Sequence, residues 1–123
     1  MTALTTANAQ ATFCATLVDE WIRDGVQYAY VAPGSRSTPL ALALSARSEM
    51  SVEVFIDERC AAFAALGVGK ATGLPAIALC TSGTAATHFS AAVTEASLSG
   101  VPLIVCTADR PPELRDVGAA QTI

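Results

Sequence analysis

Four largely apolar runs recur along the chain with helix-length stretches between them: "VQYAYVAPG" from Val26, "VEVFID" from Val52, "PAIALCTSG" from Pro75 and "VPLIVCTADRPP" from Val101. None alternates apolar with polar residues, as a strand with one wet face would. A run that is apolar along most of its length suits a parallel strand covered on both faces, and the intervening stretches supply the crossover helices. The fold class is therefore α/β, an open parallel sheet with helices on both sides and right-handed connections. A chain of 123 residues holds one such domain with a real core and is too short for two ordinary ones.

The helices carry their own signals. Residues 9–24 place Phe13, Leu17 and Trp21 on one face, with Cys14, Val18 and Ile22 beside them and Gly25 as a stop. "SRSTPLALALSARS" offers Ser37 or Thr38 as a cap before Pro39. Two more helices are predicted over about 58–72 and 84–98. The chain then ends at "GAAQTI" without a closing helix or strand, which reads as a domain incomplete at its carboxyl end.

Composition narrows the partners. The chain is 52% hydrophobic and only 15% charged, with bulk drawn from Ala, Val, Leu and Ile, so part of the outside is expected to be covered by other protein in an oligomer. Net charge is −4 and the seven Lys and Arg are scattered, leaving no basic stripe for a nucleic acid. No apolar run approaches the roughly 20 residues of a membrane helix, and residues 1–12 lack the pattern of a signal peptide. A cytoplasmic protein is expected. Cys14, Cys60, Cys80 and Cys106 show no C-x-x-C pair and read as reduced core thiols.

In sheets of this kind function gathers at the carboxyl ends of the strands. Here those ends read "APGSRST", "IDER", "CTSGT" and "TADRPPEL", and they hold most of the polar residues outside the helices. "GVGKATG" at 67–73 satisfies neither a dinucleotide fingerprint nor a P-loop and is better read as a helix end with a turn. "TSGTA" leaves a strand and opens a helix, so Ser82 or Thr84 could cap and the amides could cradle an anion. His88 has no Cys or carboxylate at ligand spacing and reads as a packed or surface residue. Arg36 and Arg110 each stand at a strand's carboxyl end, suited to gripping a carboxylate or to pairing with a local acid such as Glu113 or Asp116. Asp57 and Glu58 can be a cap and a helix-dipole partner, or Glu58 can hand a proton to something bound.

Taken together, "APGSRSTPLALAL", "IDER", "TSGTA" and "TADRPPEL…GAAQTI", from about Val26 to Ile123, resemble the amino-terminal, pyrimidine-binding domain of the 2-succinyl-5-enolpyruvyl-6-hydroxy-3-cyclohexene-1-carboxylate synthases. Those are thiamine diphosphate enzymes of menaquinone biosynthesis, built from three domains. The resemblance implies that residues 1–123 are most of one of them, and that Glu58 faces N1′ of the cofactor's aminopyrimidine, favouring the tautomer whose 4′ nitrogen deprotonates the thiazolium. It implies that Thr81, Gly83 and Gln121 contact the cofactor, and that Ser35, Arg36, Arg110 and Gln121 contact substrate. The substrates it implies are 2-oxoglutarate, which is decarboxylated, and isochorismate, to which the carbanion adds. It further implies a homo-oligomer, dimer or tetramer, with the diphosphate and Mg2+ held by a domain absent from this chain, so that no metal site lies here and the chain alone is inactive. Family members commonly read "GANQ" where this chain reads "GAAQ", so Ala120 lacks an amide found in its relatives. From a different class, the alternative is a non-catalytic α/β module that binds a small anionic or phosphorylated ligand at the "TSGTA" helix start.

Overall fold

The computed structural model describes residues 8–123. Helix α1 (Ala9–Arg23) starts at Asn8, whose side chain accepts the Gln10 amide at 2.9 Å, and leads into strand β1 (Tyr28–Val31). A 3-10 turn, Ser35–Ser37, runs directly into α2 (Thr38–Ser45), with Pro39 in its first turn. Then follow β2 (Ser51–Val54), α3 (Glu58–Thr72), β3 (Ile77–Cys80), α4 (Thr84–Thr87), α5 (Ser90–Ser99) and β4 (Ile104–Thr107). The chain closes with a 3-10 turn, Pro112–Leu114, and an irregular stretch.

All strand pairs are parallel, in the order β2-β1-β3-β4. Ala29 is paired with both Val52 and Ile77, and Ile77 with Ile104. After β1 the chain adds β2 on one side and then β3 on the other. The carboxyl ends of β1 and β3 therefore form a topological switch point, where neighbouring connections diverge and leave a crevice.

Burial along β3 explains why its run is continuous. Ile77 and Leu79 point into a cluster with Val18, Val26, Ala29, Val31, Leu44 and Met50, beneath α1 and α2. Ala76, Ala78 and Cys80 point the other way, into Ala61, Ala62, Ala65, Ala85, Phe89 and Ala92. One face is filled by branched aliphatics. The other is nearly all methyl groups, which lets α3 lie close to β1 and β3, and Phe89 supplies the bulk that alanines lack. Tyr30 and Phe55 add an edge-to-face contact with centroids 5.7 Å apart.

Several expectations need correction. Only β3 is buried along its whole length; β2 is an edge strand with Val54 65% exposed, and Ile56 just beyond it is 95% exposed. The buried stripe of α1 is Cys14 and Val18 flanked by Trp21 and Ile22, and Phe13 faces outward, 66% exposed. The helix expected over 84–98 is two, broken at His88 and Phe89. Cys60 is exposed rather than in the core, whereas Cys14 and Cys80 are buried. "GVGKATG" is indeed the end of α3, closed by Gly73 in the left-handed region at φ 75°.

Candidate active site at the switch point

Every residue singled out at a strand end lies on the carboxyl edge of the sheet. The β1 loop holds Gly34, Ser35 and Arg36. Ser37 and Thr38 do not cap α2 with their side chains: both hydroxyls donate back to the Gly34 carbonyl, at 3.0 and 3.4 Å, which tightens the turn that presents Arg36. Gly34 itself sits against the β3 loop, and a Cβ there would meet Thr81 Cγ2 at 2.7 Å. Ser35 is exposed.

The β3 loop is the most enclosed part of the site. Thr81, Ser82 and Gly83 are all buried, and Thr81 Oγ1 and Ser82 Oγ have no hydrogen-bond partner. Neither Ser82 nor Thr84 caps α4. The cap position is Gly83, at φ 78° and ψ −144°, a conformation that side chains strongly disfavour. A Cβ on Gly83 would lie 2.7 Å from Gln121 Cα, so the last residues of the chain cross directly over this turn.

Asp57 and Glu58 have separate surroundings. Asp57 caps α3, accepting the Arg59 amide at 2.9 Å and the Arg59 guanidinium at 3.0 and 2.6 Å. Those bonds hold its carboxyl down at about 2, the side-chain bond to Arg59 contributing most. Glu58, the first residue of α3, is half-buried and its carboxylate makes no hydrogen bond or ion pair among the described residues. Its charge reaches the end of β3: the Cys80 thiol is pushed up to about 11, by burial first and then by the negative charge of Glu58.

The two arginines converge, though on each other's neighbourhood rather than on acids. Arg36 Nη1 donates to the Gln121 side-chain oxygen, and Arg110 Nη1 donates to the Ala120 carbonyl at 2.7 Å. Glu113 and Asp116 enter none of the ion pairs among the described residues. Asp109, beside Arg110 in sequence, is bound instead by Arg115 at 3.1 Å. Gln121 adopts φ 56° and is exposed. His88 is exposed at the end of α4, and no three His, Cys, Asp or Glu among the described residues gather closely enough to hold a metal ion.

Three participants escaped the sequence. Ser82 was read only as a cap, yet it is 1% exposed with an unpartnered hydroxyl. Gly34 matters because Thr81 approaches so closely, for which the "PGS" turn was the available signal. Ala120 contributes through its carbonyl, which no residue type reveals.

A doubly wound parallel sheet with a polar crevice at its switch point defines a class of domains that bind small molecules or cofactors between strand ends. The chain belongs to the thiamine pyrophosphate enzymes: residues 12–123 match the N-terminal TPP binding domain of that family. It is similar to the 2-succinyl-5-enolpyruvyl-6-hydroxy-3-cyclohexene-1-carboxylate synthase of Bacillus pumilus, 56% identical over 112 residues, covering 91% of this chain and 19% of the relative. The synthase of the same name from Thermobifida fusca is 55% identical over 116 residues, covering 94% and 21%. That from Salinibacter ruber is 56% identical over 107 residues, covering 87% and 18%. The chain spans about one-fifth of the length of the curated relatives it matches.

Proposed function

We propose that residues 1–123 are most of the pyrimidine-binding domain of a 2-succinyl-5-enolpyruvyl-6-hydroxy-3-cyclohexene-1-carboxylate synthase, with Glu58 as its proton-handling residue. The observation that carries this is the division of the two carboxylates: Asp57 is consumed by the cap and by Arg59, while Glu58, the first residue of α3 beyond the carboxyl end of β2, is half-buried and unpaired among the described residues. A helix start needs only one of them.

The residues present fit an aminopyrimidine. Glu58 offers an unengaged carboxyl group for a ring nitrogen, Thr81 brings an unpartnered buried hydroxyl, and Gly83 keeps the turn free of a side chain. Gln121 borders the same turn. Thiamine diphosphate, when bound, supplies the carbon nucleophile and electron sink for decarboxylating a 2-oxo acid. Glu58 holds and returns one proton at its carboxyl oxygen, a general acid-base task that benefits from its partly enclosed position. Ser35, Arg36, Arg110 and Gln121 face the substrates, 2-oxoglutarate and isochorismate. Both are dianions, which suits two guanidinium groups with no carboxylate partner. The diphosphate and Mg2+ are assigned to a domain outside these residues.

A homo-oligomer, dimer or tetramer, in the cytoplasm completes the reading. It is supported by large apolar side chains left bare, among them Leu98 at 81% and Phe63 at 47% exposure. No helix among the described residues is long and apolar enough to cross a membrane.

The competing reading, an anion-binding module at the "TSGTA" helix start, is disfavoured by the structure. Helix α4 is only four residues long and the backbone of Gln121 lies over its Gly83. Glu58→Gln in the complete synthase tests the choice. Turnover of 2-oxoglutarate with isochorismate should fall about 10²- to 10⁴-fold, the range for loss of a positioned acid or base, while thiamine diphosphate still binds. Unchanged turnover would refute the proposal.

A further inference from the structure

Ser82 is 1% exposed, and its hydroxyl has no hydrogen-bond partner among the described residues. Buried hydroxyls are rarely left in that state, because nothing then repays the water they gave up. Its neighbour Thr81 carries an unpartnered hydroxyl too, but that side chain is turned to the β1 loop, where a Cβ on Gly34 would lie 2.8 Å from Thr81 Oγ1. Ser82 has no such neighbour. The other unengaged group at this end of the sheet is the half-buried Glu58 carboxylate, an acceptor without a donor among the described residues.

Helix spacing brings the two together. Glu58 shares a face of α3 with Ala61, Ala62 and Ala65, three, four and seven residues on, and those alanines are packed in one cluster with Ala78 and Cys80 of β3. Because α3 starts at the carboxyl edge and runs back along the sheet, Glu58 stands about one turn, roughly 5.4 Å, nearer that edge than its alanines. A strand gains about 3.3 Å per residue, so the carboxylate lies over the residues just beyond Cys80. Ser82 is the second of these, and the chain turns there toward the α3 side, since Ala85 and Phe89 join the same cluster. The Cys80 thiol registers the proximity: burial raises it first, and the charge of Glu58 second.

We propose that Ser82 is a positioning residue for Glu58: in the working enzyme its buried hydroxyl bonds the Glu58 carboxyl group and holds that side chain in one orientation while the proton comes and goes. This rests on reading Glu58 as the proton-handling residue. A hydroxyl suits the task better than a cation. It donates to the carboxylate and accepts from the protonated acid, so the contact survives both protonation states. Asp57 shows the alternative, for the guanidinium of Arg59 keeps that carboxyl ionised down to about pH 2 and so useless for exchanging a proton near neutrality.

The test uses the complete protein and three variants: Ser82→Ala, Glu58→Gln and the two combined. Turnover of 2-oxoglutarate with isochorismate is measured for each, and thermal unfolding is followed without thiamine diphosphate. Ser82→Ala should lower kcat by about ten- to a hundred-fold, the effect of losing a hydrogen bond to a charged group, with KM for 2-oxoglutarate within about two-fold of the parent. In the Glu58→Gln background the same change should cost less than about three-fold, since residues that act through one another are not additive. The unfolding midpoint of Ser82→Ala should be no lower than the parent's, because the hydroxyl removed has no partner within the fold. Parent-like kcat in Ser82→Ala overturns the inference, as does an equal loss in both backgrounds. So does a midpoint several degrees below the parent's, which would make Ser82 a structural residue. A Glu58→Gln enzyme with full turnover removes the reading of Glu58 and this inference with it, whereas an impaired Glu58→Gln beside an unimpaired Ser82→Ala removes this inference alone.

Discussion

Asp57 and Arg59 are bound to each other three times, through the Arg59 amide and two guanidinium nitrogens, and this leaves the intervening Glu58 without a partner. The local geometry is dictated by the helix start. Asp57 is extended at φ −97° and ψ 121°, so its carboxylate folds over the first turn, while Glu58 is already helical and projects elsewhere. One acid caps α3 and the other is left unpaired among the described residues.

The Asp57 carboxyl titrates at about 2 in the folded protein against an ordinary value of 3.8. A depressed folded value means that its contribution to stability is complete above 3.8 and is lost as the pH falls toward about 2. Asp57→Asn keeps an acceptor for the cap but no longer titrates. Thermal unfolding followed from pH 5 downward should therefore show a shallower acid limb in Asp57→Asn than in the parent. It should not be flat, because Asp19, Glu49, Glu95 and Asp109 are also held low by their partners. Superimposable limbs would show that the Asp57–Arg59 pair does not stabilise the fold.

The four thiols should separate by reactivity. Burial pushes Cys80 and Cys106 up to about 11, and raises Cys14, while Cys60 stands exposed on α3. At pH 8 a thiol with a value of 11 is thiolate in only about one part in a thousand, and the thiolate is the reactive form. A disulfide exchange reagent should label Cys60 at once and the other three only on unfolding, as read by mass spectrometry of the labelled peptides. Rapid labelling of Cys80 in the native protein would contradict its place beneath α3.

How much of this was legible in the sequence depends on what each feature needs to be known. The β3 run and the start of α3 at Glu58 were readable, since both follow from neighbours in the chain. The exposure of β2 was only hinted at: Glu53 interrupts Val52, Val54 and Phe55, whereas Ile77 to Cys80 are apolar throughout, and the strand order is what makes one an edge and the other central. The break between α4 and α5 was hidden as well. Periodicity continues through it, yet Thr87 donates its hydroxyl to the Thr84 carbonyl and Ser90 to that of Thr87, bonds that bend a helix without altering its apolar pattern. In the site, the residue types of Glu58, Arg36 and Arg110 announced themselves. The carbonyl of Ala120 and the seat at Gly83 depend on where a distant segment crosses, which no local pattern records.

Among the described residues Phe89 is the largest fully buried side chain, 1% exposed, and it is surrounded by alanines from α3 and β3. Methyl groups on fixed backbone have no rotamers with which to close a gap, so the site collapses poorly. Phe89→Ala should cost about 3–5 kcal/mol, toward the upper part of the range for such truncations. Chemical denaturation would measure it. A loss below about 1 kcal/mol would mean that α3 and α5 can settle inward, contrary to the close packing of that face.

Gly83 is the position where fold and site meet, and Gly83→Ala separates its two duties. The backbone at φ 78° and ψ −144° strains any side chain, and the new Cβ would stand 2.7 Å from Gln121 Cα. Together, strain and overpacking should cost about 1–3 kcal/mol, and the cheaper escape is to lift the Gln121 segment rather than to move the buried β3 turn. Lifting it removes the acceptors of Arg36 and Arg110 together, since Ala120 and Gln121 are adjacent. Stability loss should therefore be accompanied by faster hydrogen exchange over residues 116–123 and little change within β3. If exchange instead rises across β3 and α4 while the terminal stretch stays protected, the crossing segment is the rigid partner and Gly83 serves the sheet rather than the arginines.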